Sequence, residues 1–262
     1  MRLDRKGFAV TGIIYSMLIL FLALVLLILS NLASRKVLFD KEKNEILDKI
    51  NGTVLCTAIA PTTQNVPKYD LEWTMSETTA GVQATSDAPY ALGAEYTCEL
   101  GDGVSRTFYV LGTDGDNVKL IMNENLGNTV AWCDQSGTNP YDNVCAADGA
   151  NAALAERTSG WTKLSQSQIT LPEGQDIADA MGDTEWNDAN YTGKVGPTWM
   201  YVNLDGNNGP YGYWTSTPYS GSSDSAWFVF SDGGFLYNSN VGTASINGVR
   251  PVITISKSNL SL

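Results

Sequence analysis

Residues 8–34 form 27 consecutive positions without a charged side chain, and most residues from 13 to 29 are Leu, Ile, Val, Phe or Met. A bilayer core is crossed by roughly 20 apolar residues rising about 1.5 Å each, so this run is long enough to span one. It exceeds the apolar core of about 7–15 residues found in a cleaved secretory signal, and the following "SNLASRK" makes a poor small-x-small cleavage site. The sequence therefore predicts a membrane-spanning helix. Arg2, Arg5 and Lys6 precede the run with only Asp4 against them, an arrangement that keeps the N-terminus cytoplasmic and sends the remainder outside.

Charge divides the chain at the same place. Residues 1–52 hold eight Lys/Arg and five Asp/Glu, whereas residues 53–262 hold eight and twenty-three, a net charge of −15. Such an acidic segment offers little to neutralise phosphates, which argues against nucleic acid as a partner. All four cysteines, Cys56, Cys98, Cys133 and Cys145, fall in the acidic part, an even number that suits disulfides in an oxidising compartment. Four cysteines allow three pairings. Cys56 with Cys98 and Cys133 with Cys145 is favoured, because the second pair closes a short loop rich in turn formers.

The chain contains no histidine. That excludes Ser-His-Asp and Cys-His catalysis and imidazole acid-base chemistry, and no pair of carboxylates stands out from so acidic a surface. No catalytic residue is assigned, and the reading is of a protein that is not an enzyme. No metal site is assigned either: the cysteine spacings are not those of a zinc site. The runs at residues 114–117 and 205–209 carry oxygens that calcium accepts, but neither completes an EF-hand, and both serve as turns. No cofactor is called for, calcium being the one ion these oxygens would suit.

Beyond the apolar run, Val37, Leu38, Ile46, Leu47 and Ile50 recur among charges at helical intervals until Asn51-Gly52, a helix-ending pair. One helix of about 43 residues, roughly 65 Å long, follows from that pattern. From residue 53 the composition turns to Gly, Thr, Ser, Asn, Asp and aromatics. Phe108 and Val110, then Val118, Leu120 and Met122, alternate about a Thr-Asp-Gly-Asp turn and predict a hairpin. Helices are expected within residues 151–161 and after Pro172. Val249, Val252, Ile253 and Ile255 predict a final strand pairing with an early one, anchored by polar contacts of Arg250.

The Lys6-Gly7-Phe8 junction before an uncharged helix resembles the class III leader of type IV pilins and pseudopilins. The resemblance implies cleavage between Gly7 and Phe8 by a prepilin peptidase, methylation of the new N-terminus, and contacts with sister subunits through residues 8–50. Position five of the mature chain, usually Glu in that family, is Gly12 here, which puts a major-subunit role in doubt.

Further on, Trp214-Thr215-Ser216-Thr217, Ala226-Trp227 with Val229, and the closing Gly248-Val249-Arg250-Pro251-Val252 resemble the end of a C-type-lectin-like domain, as found in the variable proteins diversified by retroelements. Leu171-Pro172 matches that fold's helix entry. The Trp-Asn-Asp triplet at residues 186–188 matches a calcium-binding triplet of animal lectins but lies too far from the final strand to be equated with it. Enzymes sharing the fold rely on late cysteines, which this chain lacks after Cys145.

These readings combine into an α+β protein: a leader over 1–7, a transmembrane and stalk helix over 8–52, a connecting segment over 53–93, and a strand-rich lectin-like head over 94–262. The expected function is that of a pilin-like adhesin at the bacterial membrane and cell surface, its head outside and bound to an external protein or glycan. The alternative is a structural pilus subunit with a non-binding head. Segment 219–247 is rich in small polar and aromatic residues, the composition that binding loops favour. The candidate ligand-binding residues are Trp214, Tyr219, Phe228, Phe230, Asp232, Phe235, Tyr237, Asn238 and Asn240.

Overall fold

The computed structural model describes residues 17, 18, 20, 21, 54–61, 63–68, 74–133, 149–189, 194–201, 212–230, 236–244 and 246–262, with 63–68 and 74–79 described as backbone only. The chain divides into two units, Met1–Gly52 and Thr53–Leu262. In the first, Met17, Leu18, Leu20 and Phe21 are helical and exposed. The rest of the expected helix over 8–52 lies outside the described residues, as do Gly7 and Phe8.

The expected fold class is corrected on this point. Among the described residues strands predominate, no helix is long and apolar enough to cross a membrane, and no long N-terminal helix is present. A run of apolar residues fixes what a segment avoids, which is water. It does not fix the geometry in which the segment avoids it, because most helical stability comes from tertiary packing.

The second unit is built on strands. β1 (Cys56–Ala58), β4 (Glu95–Glu99), β5 (Ser105–Asp114), β6 (Asn117–Met122), β7 (Ile169–Thr170), β12 (Val252–Ser256) and β13 (Leu260–Ser261) form a seven-stranded sheet in the order β13-β1-β4-β5-β6-β12-β7. β8 (Gly212–Pro218), β9 (Ser225–Phe230), β10 (Leu236–Asn240) and β11 (Asn247–Gly248) form a second sheet in the order β10-β9-β8-β11. β2 (Thr63–Lys68) and β3 (Thr74–Thr79) pair antiparallel by themselves.

The β5–β6 hairpin follows from its sequence. Asp114 pairs with Asn117 across Gly115-Asp116, and Gly115 takes φ 54°, a left-handed conformation that glycine adopts at least cost. Phe108, Val110, Val118, Leu120 and Met122 face one core cluster, while Tyr109, Leu111 and Ile121 face another. The sheet is thus buried on both sides at its centre. α1 (Gly149–Arg157) contributes Ala150, Ala153 and Leu154 to the first cluster, and α2 (Gly174–Ala180) contributes Ile177 and Ala178 to the second.

The ends of this unit meet. β1 pairs antiparallel with β4 and parallel with β13, so Cys56 lies opposite both Cys98 and Leu260. Backbone bonds join Glu99 N to Leu55 O and Ile59 N to Glu95 O, which leaves positions 56 and 98 as a non-hydrogen-bonded pair, where side chains approach most closely. Cys56 and Cys98 are disulfide-bonded there. Cys133 is also disulfide-bonded, and Cys145 lies outside the described residues.

β12 and the arginine that precedes it tie the two cores together. β12 pairs with both β6 and β7. Arg250 is 0% exposed; it donates through Nε to Met122 O, through one terminal nitrogen to Met200 O, and through the other to Trp199 O at 2.8 Å. Its guanidinium carbon sits 5.0 Å from the Tyr213 ring centroid, within cation–π range. Burial holds the guanidinium below its ordinary value and pushes the Tyr213 phenol up to about 12.

Candidate functional site

The polar residues of Trp214-Thr215-Ser216-Thr217 act on the scaffold. Thr215 Oγ1 donates to Trp227 O at 2.9 Å, Ser216 N donates to Pro172 O at 2.8 Å, and Thr217 Oγ1 accepts from Gly174 N at 2.9 Å. The motif on β8 therefore fastens the second sheet to the start of α2, the place marked by Leu171-Pro172. Two indoles hold the loop before residue 133 to the same strand: Trp132 Nε1 donates to Thr215 O and Trp214 Nε1 to Val130 O, each at 2.8 Å. Trp214 is fully buried, and its one donor is used.

β9 is apolar on both faces. Trp227 and Val229 enter the second core cluster together with Leu236 of β10, while Ala226 and Phe228 enter the first. Phe228 is only 5% exposed. The row it belongs to continues outward: Trp214 packs edge-on against Phe228 at 5.8 Å, Phe228 against Phe230 at 6.0 Å, and Phe230 against Tyr237 at 6.2 Å with their planes 88° apart. Tyr237 lies directly opposite Phe228 in the β9–β10 register, their ring centroids 6.3 Å apart. Phe230 is half-buried and Tyr237 is 41% exposed.

Where this row reaches solvent, an open concavity of about 270 Å³ is lined, among the described residues, by Phe228, Phe230, Tyr237 and Asn238. Aromatic rings on a strand ladder give rigid contact area at low entropic cost. None of these four residues is Asp, Glu, Lys or Arg, so the described lining bears no formal charge, on a strongly acidic unit.

The remaining candidates lie elsewhere or outside the described residues. Tyr219 is half-buried on the other core face, 5.2 Å from Trp227, which also packs at 5.5 Å against Trp186. Asn240 closes the far end of β10: its Nδ2 donates to Asp224 Oδ2 at 3.3 Å, and its Oδ1 accepts from Gly242 N at 2.9 Å. Asp232 and Phe235 lie outside the described residues. The structure thus gathers Phe228, Phe230, Tyr237 and Asn238 at the concavity, with Trp214 buried behind Phe228, and separates them from Tyr219 and Asn240.

One residue escaped the sequence reading. Asp224 accepts from the hydroxyls of Ser222 and Ser225 and from Asn240, and its backbone oxygen accepts from Val241 N at 2.8 Å. These bonds, the Ser222 hydroxyl foremost, hold its carboxyl below the ordinary value, and they fix the end of the β9–β10 ribbon away from Phe230. Its sequence signal was a carboxylate flanked by serines, in "SSDS".

The triplet at 186–188 is likewise occupied with packing and tethering. Asp188 O accepts from Trp227 Nε1 at 3.1 Å, and Asp188 Oδ1 accepts from Ser220 Oγ at 3.2 Å. Among the described residues no group of three or more acidic, cysteine or histidine side chains is placed to hold a metal ion. Residues 205–209 lie outside the described residues. No family model, curated protein or solved structure matches this chain.

Proposed function

We propose that this chain is an exported recognition protein, displayed at a bacterial cell surface, whose C-terminal unit binds an external protein or glycan and carries out no catalysis. The observation that carries the reading is the row Trp214-Phe228-Phe230-Tyr237. It begins in the core, ends in an exposed ring, and opens into a concavity at its outer end. An aromatic surface held by a rigid two-sheet scaffold suits recognition, since little ordering is left for the ligand to impose.

Other features support the same reading. The Cys56–Cys98 disulfide suits an oxidising compartment outside the cytoplasm. The three motifs likened to a C-type-lectin-like domain fall on β8, on β9, and on β11 with the approach to β12. The Lys6-Gly7-Phe8 junction supports processing by a prepilin peptidase, with sister subunits as partners. The Ser-, Asn- and aromatic-rich segment 219–247 supports diversification of this surface by a retroelement.

Binding of the full chain to paired arrays of glycans and of extracellular proteins tests the proposal. A specific signal that Tyr237→Ala removes is expected. A Tyr237→Ala protein that binds as the parent does, or a parent that binds nothing on either array, overturns it in favour of a structural subunit with a non-binding head.

A further inference from the structure

The concavity at the outer end of β9 and β10 is small, uncharged in its described lining and walled by rings, and we propose that it holds one neutral sugar ring by stacking, without a metal ion. This rests on the reading of that surface as the ligand site. Size favours it over a protein partner: about 270 Å³ lies just under the roughly 300–1,000 Å³ of small-ligand pockets. A stable protein interface buries about 800 Å² on each side, far more than a few residues supply.

Ring geometry makes the same choice. Phe230 and Tyr237 stand 88° apart, so the two rings form a corner over the edge of Phe228. The negative π face of an aromatic ring attracts polarised C–H groups. A pyranose presents such groups on its flat face and its hydroxyls around the rim. With the C–H face on one wall, a rim hydroxyl reaches toward the Tyr237 phenol, which can donate and accept a hydrogen bond.

Charge and chemistry narrow the class further. Residues 53–262 carry a net charge of −15, so an acidic sugar meets repulsion that a neutral one does not. Calcium needs six to eight oxygen ligands, generally including carboxylates. Among the described lining residues only the Tyr237 phenol and the Asn238 amide carry side-chain oxygen. Capture of the ring therefore depends on the aromatic corner.

Saturation-transfer NMR on the full chain in EDTA tests this with methyl glycosides of glucose, galactose, mannose and N-acetylglucosamine, and with the methyl glycoside of glucuronic acid. The expected result is transfer to the C–H protons of at least one neutral glycoside, less to the glucuronide, and no change on adding calcium. Tyr237→Ala should weaken binding about tenfold or more, equivalent to 1.4 kcal/mol, while Tyr237→Phe keeps most of it. Tyr237→Leu replaces Tyr237→Ala if the latter lowers the thermal midpoint. No transfer to any neutral glycoside, transfer that survives loss of the ring, or transfer abolished by EDTA overturns the inference. Failure here with a Tyr237-dependent signal on the protein array would overturn the sugar assignment and leave the recognition reading standing. Failure on both would overturn both.

Discussion

Replacing Arg250 by Met tests how the scaffold beneath the candidate surface is held together. The substitution keeps an unbranched stem and removes a guanidinium whose donors reach the backbone oxygens of Met122, Met200 and Trp199. Two effects oppose each other. Burial disfavours the charge, as the lowered Arg250 value indicates, so its removal relieves a desolvation cost. Against this, three carbonyls lose their donor at about 1–3 kcal/mol each, and the contact with Tyr213 goes as well. Three orphaned carbonyls set against the relieved desolvation leave a net loss of about 3–5 kcal/mol, which is the loss expected here. With a urea slope near 2 kcal/mol per molar, the unfolding midpoint should fall by about 2 M in tryptophan fluorescence. Arg250→Lys should recover less than half of this, because one ammonium cannot present the fork that spans three acceptors. A midpoint drop below about 0.5 M for Arg250→Met would refute the reasoning.

Three further outcomes are expected. Gly93→Ala should destabilise by about 2 kcal/mol or more, since Gly93 holds φ 76° and an added Cβ would lie 2.4 Å from Trp199 Nε1; calorimetry with an unchanged midpoint would contradict this. Replacing both Cys56 and Cys98 by Ala should cost about 4 kcal/mol by loop-closure entropy across a separation of 42 residues, measured in urea without reductant. Asp102 is held below its ordinary 3.8, chiefly by its hydrogen bond from Arg106. A depressed folded value contributes stability above the unfolded value that is lost as pH falls through the folded one, so Asp102→Asn should flatten the stability profile below about pH 4, and an unaltered profile would count against it.

What the sequence disclosed depended on how local the cause was. The β5–β6 hairpin was legible because alternation on both sides of Asp114-Gly115 sets strand faces and turn together. The start of α2 was legible from Pro172, and the anchoring of Arg250 from its place beside a proline at the head of an apolar strand. β9 was harder. A continuous apolar run such as Ala226 to Phe230 has no polar face, so periodicity cannot say which side meets solvent. Both sides proved buried until Phe230, which is why Trp214 and Phe228 belong to the support and Tyr237 to the surface. The pairing of residue 56 with 260 depends on contacts between opposite ends of the unit, for which no local signal exists. The expectation of a long N-terminal helix is corrected for the described residues, where strand pairing sets most of the structure; apolarity and spacing by themselves describe only a preference.

Photo-crosslinking from the candidate surface tests the central claim most directly. A benzoylphenylalanine placed at Tyr237 in the full chain, displayed on cells and exposed to extracellular glycoconjugates and proteins, should form a covalent adduct with an external molecule. The same probe at Val104, also exposed but on β5's approach, should not. Equal labelling from both positions, or none from Tyr237, would contradict recognition through β9 and β10.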